Sequence, residues 1–582
     1  MRMPIGEFLL TRLVQAGVTE LIGVPGDFNL NLLEQVPQVP GIRFVGTTNE
    51  LNAAYAADGY SRARGLSALL TTYGVGELSA LNGIAGAAAE HVPVVSIAGA
   101  PPLYATEGRW ELHHSMADGD FSNMLSSIGQ FTAAAVRITP INAAEEIDRI
   151  LHTAIREKRP VHIQVPSDIS HLTIEVPDAP FDPGLPSSDP ERLAAAADAV
   201  LELWARAQRP AMLIDQDADR HGFATALQAL SRLTGTHYAQ LGTGKGILSE
   251  HDPLFLGTYG GANSPTGVRL AIEDADFLLT TTPRFIETNS GSFTHHLPQQ
   301  AIVDIGDQHV SVHGAEYVGI TVSELLAVLV ERLEDGSGAA APGGSATAGD
   351  PAAGAGVASA PEAPAADVAG PDVPDPDAPL DHARLWPRMA AFVNPGDTVI
   401  AEAGTSHIGL SVQTLPEGVR YINSGIWGAI GFTLPCLFGS QLAEPERRHL
   451  LFTGDGSFQL TAQELSTILA HEQAPIIFLL NNRGYTIERW IMGMDAAYND
   501  VADWDYAALP QVFKRDTTMR SHRVHTFGQL EEALAAAGAA QERGVGSFVE
   551  LHLDAEDAPA GLKAFGPATA RFDYGPRGPV NG

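Results

Sequence analysis

Across residues 1–333, short runs of aliphatic and β-branched residues alternate with longer stretches of helical spacing. Val92-Pro93-Val94-Val95-Ser96-Ile97 and Val161-His162-Ile163-Gln164-Val165 are runs of the first kind. Such runs, bounded by turn residues, predict strands buried on both faces, and their alternation with helices predicts parallel-sheet α/β architecture. The same pattern returns near the C-terminal end. Thr398-Val399-Ile400-Ala401, Leu450-Leu451-Phe452 and Ile476-Ile477-Phe478-Leu479-Leu480 are each followed by a turn bearing Gly or Asn. A helix is expected over Thr461 to Ala470, and an Ala-rich helix over Glu191 to Arg206.

A chain of 582 residues is too long for one hydrophobic core, so several domains are expected. Pro and Asp cluster between Pro177 and Pro190, which marks a first boundary. Residues 335–379 hold Ala, Gly, Pro, Ser and scattered acids with no Lys, Arg or aromatic residue, a composition that reads as a flexible linker. The expected division is 1–178, 190–333, linker 335–379, 380–553 and a Gly- and Pro-rich tail 554–582 in which no element is predicted. The fold class is α/β, with three parallel-sheet domains.

Charge narrows the partners. The chain carries 35 basic and 69 acidic residues, a formal balance of −34, which repels nucleic-acid phosphates and anionic membranes. No stretch has the length and apolarity of a membrane span or a signal peptide, so no membrane association and a cytoplasmic location are expected. The single cysteine, Cys436, sits in an apolar run and is expected to be a buried thiol.

Candidate chemistry gathers where strands end, which is where open α/β sheets bind ligands. Leu450-Leu451-Phe452-Thr453 leads into Gly454-Asp455-Gly456-Ser457, a glycine turn before a helix. Backbone N–H groups there suit a phosphate, but the Asp455 carboxylate would repel it unless a hard cation such as Mg²⁺ lay between them. The next strand ends in Asn481-Asn482-Arg483-Gly484, placing an amide oxygen on the neighbouring turn.

Gly454-Asp455-Gly456 with Asn481-Asn482 resembles the diphosphate-binding signature of the thiamine-diphosphate enzyme superfamily. The resemblance implies thiamine diphosphate and Mg²⁺ as cofactors, with Asp455, Asn482 and the Gly484 carbonyl as metal ligands. It implies a pyrimidine-binding N-terminal domain, a Rossmann-like middle domain and a diphosphate-binding C-terminal domain. Glu50, expected inside a helix in the run from Thr47 to Arg62, matches the family glutamate that protonates the pyrimidine ring. Trp427-Gly428-Ala429-Ile430-Gly431 resembles the segment in which a carbonyl, here of Gly428, receives the pyrimidine amino group and a side chain, here Ile430, wedges the cofactor into its bent form; a packing turn is compatible with both. Gly404, Thr405, Gly456, Ser457 and Tyr485 are implied as further cofactor contacts.

Asp27 in Gly23-Val24-Pro25-Gly26-Asp27-Phe28-Asn29, the pair His113-His114 and Glu488 in Gly484-Tyr485-Thr486-Ile487-Glu488-Arg489 resemble the pyruvate and indolepyruvate decarboxylases. Taken singly, each has an ordinary reading, including a Glu488–Arg489 ion pair. The resemblance implies decarboxylation of a 2-oxo acid to an aldehyde and CO₂ through a C2 carbanion and an enamine. Asp27, His113 and His114 would relay protons, and Glu488 would handle the adduct. It also implies a homodimer or homotetramer whose active sites lie at the subunit interface.

Ala403 and His407 stand where several pyruvate decarboxylases place Thr and Trp, which implies a wider pocket. The run Thr288 to His296 resembles a wall of the branched-chain and aromatic 2-oxo-acid enzymes. Indolepyruvate, phenylpyruvate or a branched-chain 2-oxo acid is therefore favoured over pyruvate. His407 leaves room for a polar substrate or turns away from the pocket. Gly242-Thr243-Gly244-Lys245-Gly246 is a glycine turn, and no bound flavin is expected. An acetolactate-synthase-like carboligase and a non-catalytic assembly subunit are the alternatives; the His pair and the complete set of motif residues argue against them.

Overall fold

The computed structural model describes residues 1–184, 187–306, 308–336 and 375–575. Most of the expected linker, 337–374, lies outside the described residues.

The N-terminal sheet has six parallel strands in the order Arg43–Gly46, Glu20–Gly23, Ser67–Thr72, Val94–Ala100, Val161–Pro166, Ala134–Arg137. The C-terminal sheet is also six-stranded and parallel, ordered Arg420–Ile422, Thr398–Ala401, His449–Gly454, Ile476–Asn481, Ser547–His552, Arg520–Val524. Numbered along the chain within each sheet, both run second, first, third, fourth, sixth, fifth. The strand order reverses between the first and third strands in each, the place where such sheets open a ligand crevice.

The middle sheet departs from the expected all-parallel form. Phe255–Thr258, His237–Gln240, Pro210–Ile214, Phe277–Thr280 and Ile302–Ile305 are parallel, but His309–Val312 and Ala315–Val318 extend the edge antiparallel. His313 and Gly314 explain the last pair: both have positive φ, 51° and 76°, the conformation of a two-residue turn whose twist matches its strands.

The N- and C-terminal sheets share one core. Helix Glu50–Arg64 packs on helix Thr433–Ala443, and Ala53, Ala57, Tyr60, Cys436 and Phe438 belong to one buried apolar cluster with Leu451 and Phe548. Cys436 is fully buried, as expected. The segment after Asp554 is not featureless: Ala560–Asp573 is a helix lying on Thr486–Ile491, with Gly566 pressed against the Trp490 carbonyl. Among the described residues, no helix is long and apolar enough to cross a membrane.

Candidate active site

At the C-terminal crevice, strand His449–Gly454 passes without a loop into helix Asp455–Thr461, with Gly454 as its cap. The helix expected over Thr461 to Ala470 is therefore two: the first ends at Thr461, whose hydroxyl donates to Gly431 O, and the second runs Glu464–Ala470. Starting at Asp455 puts a carboxylate in the first turn, where the helix dipole favours negative charge.

Asp455 Oδ1 accepts from Gly456 N at 2.7 Å and Oδ2 from Gly484 N at 3.2 Å. Burial pushes this carboxyl up to about 6 despite those N–H bonds. Asn482 turns its amide oxygen to within 2.7 Å of Gly484 O and 3.3 Å of Asp455 Oδ1, while its nitrogen stands 2.9 Å from Thr486 Oγ1. Exchanging the amide's nitrogen and oxygen would convert these contacts into hydrogen bonds. As placed, three oxygens from Asp455, Asn482 and Gly484 converge with no hydrogen between them. That donor set is what a hard cation takes, so the residues fit Mg²⁺. Gly484 reaches its place only as glycine: its φ is +149° and a Cβ would overlap Asn499 O.

A cradle stands beside this triad. A Cβ built on Gly404, Gly428 or Gly454 would meet nothing within 4 Å, whereas one on Gly456 would lie 2.5 Å from the Tyr485 ring. Thr405 and Ser457 are buried in the same turns, and Ile430 is half-buried. Glu488, exposed on helix Thr486–Ile491, has its carboxyl raised by partial desolvation and by Asp573. Arg489 turns instead to Asp500 and to the carbonyls of Asn482 and Arg483.

The N-terminal group is separate. Glu50 is the first residue of its helix, not an interior one; the Asn49 side chain caps it, accepting from Asn52 N at 2.8 Å. The half-buried Glu50 carboxylate has no hydrogen-bond or ion-pair partner among the described residues. Asp27 follows strand Glu20–Gly23. His113 Nε2 lies 2.8 Å from Asp27 Oδ2, His114 Nε2 lies 3.9 Å from Oδ1, and the His113 ring stacks on Phe28 at 5.1 Å. The structure thus brings Asp27, His113 and His114 together. Among the described residues, no hydrogen bond or ion pair joins them or Glu50 to Asp455, Asn482, Gly484 or Glu488. The residues flanking Glu50 bind their own chain's C-terminal domain elsewhere: Glu464 accepts from Thr48 Oγ1 at 2.7 Å and Asn52 Nδ2 at 2.8 Å.

Two glutamates escaped the sequence reading. Glu90 Oε1 accepts from Ile426 N at 2.8 Å and Trp427 N at 3.1 Å, so it holds the turn that presents Gly428. Arg62, itself paired with Asp58 at 2.6 Å, stands 3.9 Å from its other oxygen. Glu402 is buried beneath Gly404, accepts from Thr433 Oγ1 at 2.6 Å and Ala403 N at 3.2 Å, and is pushed up to about 7 by desolvation. Its one sequence signal is an acid directly after a buried strand.

A cavity of about 2210 Å³ opens between the middle and C-terminal domains, bordered by Gly404, Gly428, His407, Ile487, Asn289 and Phe565. Thr288 and Asn289 of the expected wall line it. The glycine turn of the middle domain is a 3₁₀ turn, Gly242–Gly244, whose neighbour Lys245 forms a buried pair with Glu250 at 2.8 Å and donates to Gln413 O. That turn therefore ties the middle domain to the C-terminal one.

Two thiamine-binding domains and the domain between them match this chain in order. Residues 3–124 match the thiamine pyrophosphate enzyme N-terminal TPP binding domain, 197–330 the central domain and 402–550 the C-terminal TPP binding domain. The chain belongs to the thiamine pyrophosphate enzyme family. It is 40% identical over 555 residues, 95% of either chain, to an "Alpha-keto-acid decarboxylase" of Mycobacterium tuberculosis (strain ATCC 25618 / H37Rv). Proteins of the same name in Mycobacterium leprae (strain TN) and Mycobacterium avium (strain 104) are 39% and 38% identical, over 96% and 95% of this chain and 94% of each relative.

Proposed function

We propose that the protein is a thiamine-diphosphate- and Mg²⁺-dependent decarboxylase that converts a 2-oxo acid larger than pyruvate into an aldehyde and CO₂. The observation that carries the reaction is the grouping of Asp27 with His113 and His114, at 2.8 and 3.9 Å, in a chain that also holds an oxygen triad for a cation. Relatives named alpha-keto-acid decarboxylase over nearly the whole length support it.

When bound, thiamine diphosphate supplies a carbanion for the 2-oxo carbonyl and an electron sink for the pair left by CO₂. The chain's part is orientation and proton movement. Asp455, Asn482 and the Gly484 carbonyl would hold the cation; Gly404, Thr405, Gly456, Ser457 and Tyr485 would surround the cofactor. Gly428 O and the Ile430 side chain would orient the cofactor's ring, and the Glu50 carboxylate would exchange a proton with it. His113 and His114, with Nε2 atoms 2.8 and 3.9 Å from the Asp27 carboxylate, form a group along which a proton can pass during turnover. Glu488, with its carboxyl raised, exchanges a proton next to the departing carboxylate.

Membership of the thiamine pyrophosphate enzyme family supports a working unit of at least two chains, the N-terminal domain of one meeting the C-terminal domain of another. Ala403, together with a cavity that reaches from Gly404 and Gly428 past Ile487, supports aromatic or branched substrates. Purified protein with Mg²⁺, thiamine diphosphate and a panel of 2-oxo acids is expected to release CO₂ and aldehyde. A 2-hydroxyketone as main product would instead indicate a carboligase, and no turnover of any acid would overturn both.

A further inference from the structure

His113 and His114 stand in a loop, residues 108–122, between helices Leu103–Glu107 and Asn123–Ile128. Among the described residues, no backbone–backbone hydrogen bond ties 111–121 to any other segment. The backbone is also strained: Arg109, His114 and Ala117 have φ of 53°, 60° and 53°, the left-handed region that is unfavourable for a residue with a Cβ. Such a loop keeps its shape only through the side chains and turns it leans on.

One support is Gly74. Its φ is +64°, and a Cβ there would overlap the His114 carbonyl, so this turn is the surface on which His114 rests. The other is Arg137, whose Nη2 donates to Phe121 O at 2.5 Å, at the far end of the loop. Both supports lead to one side chain. Glu77, only 1% exposed, accepts from Gly74 N at 2.8 Å through Oε2 and from Gln164 Nε2 at 2.7 Å through Oε1. His162 Nε2 lies 3.0 Å from the same Oε1. Gln164 Oε1 in turn accepts from Arg137 Nε at 2.9 Å, so the Gln164 amide cannot be reversed without setting its nitrogen against Arg137 and its oxygen against Glu77. A carboxylate this deep persists because donors meet its oxygens. Capping helix Val75–Ala89 would need Oε2 alone; the bond at Oε1 is what joins the Gly74 turn to Arg137.

We propose that Glu77 is a positioning residue that fixes the His113-His114 loop at both ends, through Gly74 behind His114 and through Gln164 and Arg137 at Phe121. It touches neither substrate nor cofactor. It holds the two imidazoles opposite Asp27, so that the carbon left when CO₂ departs takes a proton, giving aldehyde, before it can add to an aldehyde already formed, giving a 2-hydroxyketone. This inference rests on the decarboxylase reading above and deepens it. Glu77→Gln turns one acceptor into a donor, and whichever way the new amide faces, its nitrogen meets a donor, Gly74 N or Gln164 Nε2. The reciprocal exchange, Glu77→Gln with Gln164→Glu, restores the match: the new amide accepts from Gly74 N and donates to the new carboxylate, which also pairs with Arg137.

The test follows kcat, KM and the ratio of 2-hydroxyketone to aldehyde in the holoenzyme. In Glu77→Gln, kcat should fall about tenfold or more with KM nearly unchanged, as for a misplaced proton donor, and the 2-hydroxyketone share should rise. The reciprocal exchange should bring both most of the way back. Leu227→Ala, a truncation in the core of the middle domain, is the control for lost stability and should leave the product ratio alone. A wild-type product ratio in folded Glu77→Gln, or an equal shift in Leu227→Ala, would overturn the inference while leaving decarboxylation intact. The loop is also read without turnover, by trypsin cleavage after Arg109 in cofactor-free protein. Faster cleavage in Glu77→Gln, reversed by the reciprocal exchange and absent in Leu227→Ala, supports the role of Glu77 even if no 2-oxo acid is consumed, and unchanged cleavage refutes it. Should Glu77→Gln not fold, Arg137→Met on the half-buried edge strand Ala134–Arg137 takes its place: the same shifts are expected, and wild-type behaviour refutes the coupling.

Discussion

Gly59 and Gly439 lie on opposite sides of one helix contact, each against the other helix's backbone: a Cβ on Gly59 would overlap Cys436 O, and one on Gly439 would overlap Ala56 O. The pairs Ala56/Gly59 and Cys436/Gly439 have the same spacing of three. The helices follow the second strand in chain order of their respective sheets, so the two halves meet as near-equivalents. Only a hydrogen at these positions lets the backbones approach and the shared core close.

Gly439→Ala should therefore cost about 3 kcal/mol or more, because the obstacle is backbone and cannot rotate away. The apparent melting temperature of the purified protein should fall by several degrees. Gly538→Ala is the contrast. It lies within helix Phe527–Gln541, where a Cβ meets nothing within 4 Å, and should leave stability unchanged or raise it by up to about 1 kcal/mol. Equal effects at the two sites would show that close approach does not govern this contact.

Asp455 gives a pH dependence of definite sign. Its carboxyl is raised to about 6 in the folded chain, above the usual unfolded value of about 4. The folded state therefore binds the extra proton between these values, and its contribution to stability is present below about pH 4 and lost as pH rises through about 6. Urea unfolding of cofactor-free protein should show this loss, and Asp455→Asn should remove it. A cation takes the opposite form of the group, so apparent Mg²⁺ affinity should weaken as pH falls below about 6. Mg²⁺ affinity flat from pH 5 to 7.5 would remove Asp455 from the ligand set.

Glu90 is expected to act through the turn it holds. Glu90→Ala leaves two backbone N–H groups without their acceptor, while Arg62 keeps Asp58, a loss on the order of 2 kcal/mol or more. The Ile426–Gly428 turn should loosen, and the dissociation constant for thiamine diphosphate should rise at least tenfold, read by fluorescence of the adjacent Trp427. Glu90→Gln keeps an oxygen for the N–H groups and should fall between. Wild-type cofactor affinity in Glu90→Ala would separate Glu90 from the site.

Much of this was legible in the sequence for identifiable reasons. Strands buried on both faces, such as Ile476–Asn481, announce themselves as apolar runs, and Asp455 and Asn482 stand at their ends where the fold opens its crevice. The helix Ala560–Asp573 was hidden by Gly561, Gly566 and Pro567, residues that disfavour a helix until packing on Trp490 overrides propensity. Glu50 was read as interior although Asn49 was there to signal a cap. Glu90 had no local signal at all. Its partners Ile426 and Trp427 lie 336 and 337 positions away, and a linear reading cannot tell a carboxylate that accepts buried N–H groups from one that faces water.

Whether the site is divided between chains is tested by complementation. If Glu50 of one chain serves the oxygen triad of another, the homo-oligomers of Glu50→Gln and of Asp455→Asn should each be inactive while remaining folded. Co-expressed, they form mixed dimers in which one site combines both lesions and the other is wholly wild type. With random pairing about half of the dimers are mixed, so about a quarter of all sites should be intact. Decarboxylation should return to roughly that fraction of the wild-type rate. A site built within one chain would carry a lesion in every copy, and mixing would restore nothing. Recovery near a quarter would therefore locate Glu50 and Asp455 in one site across the interface, whereas an inactive mixture of folded chains would place them in one chain and remove the reason for the dimer. Activity in either homo-oligomer would show that the substituted residue is dispensable.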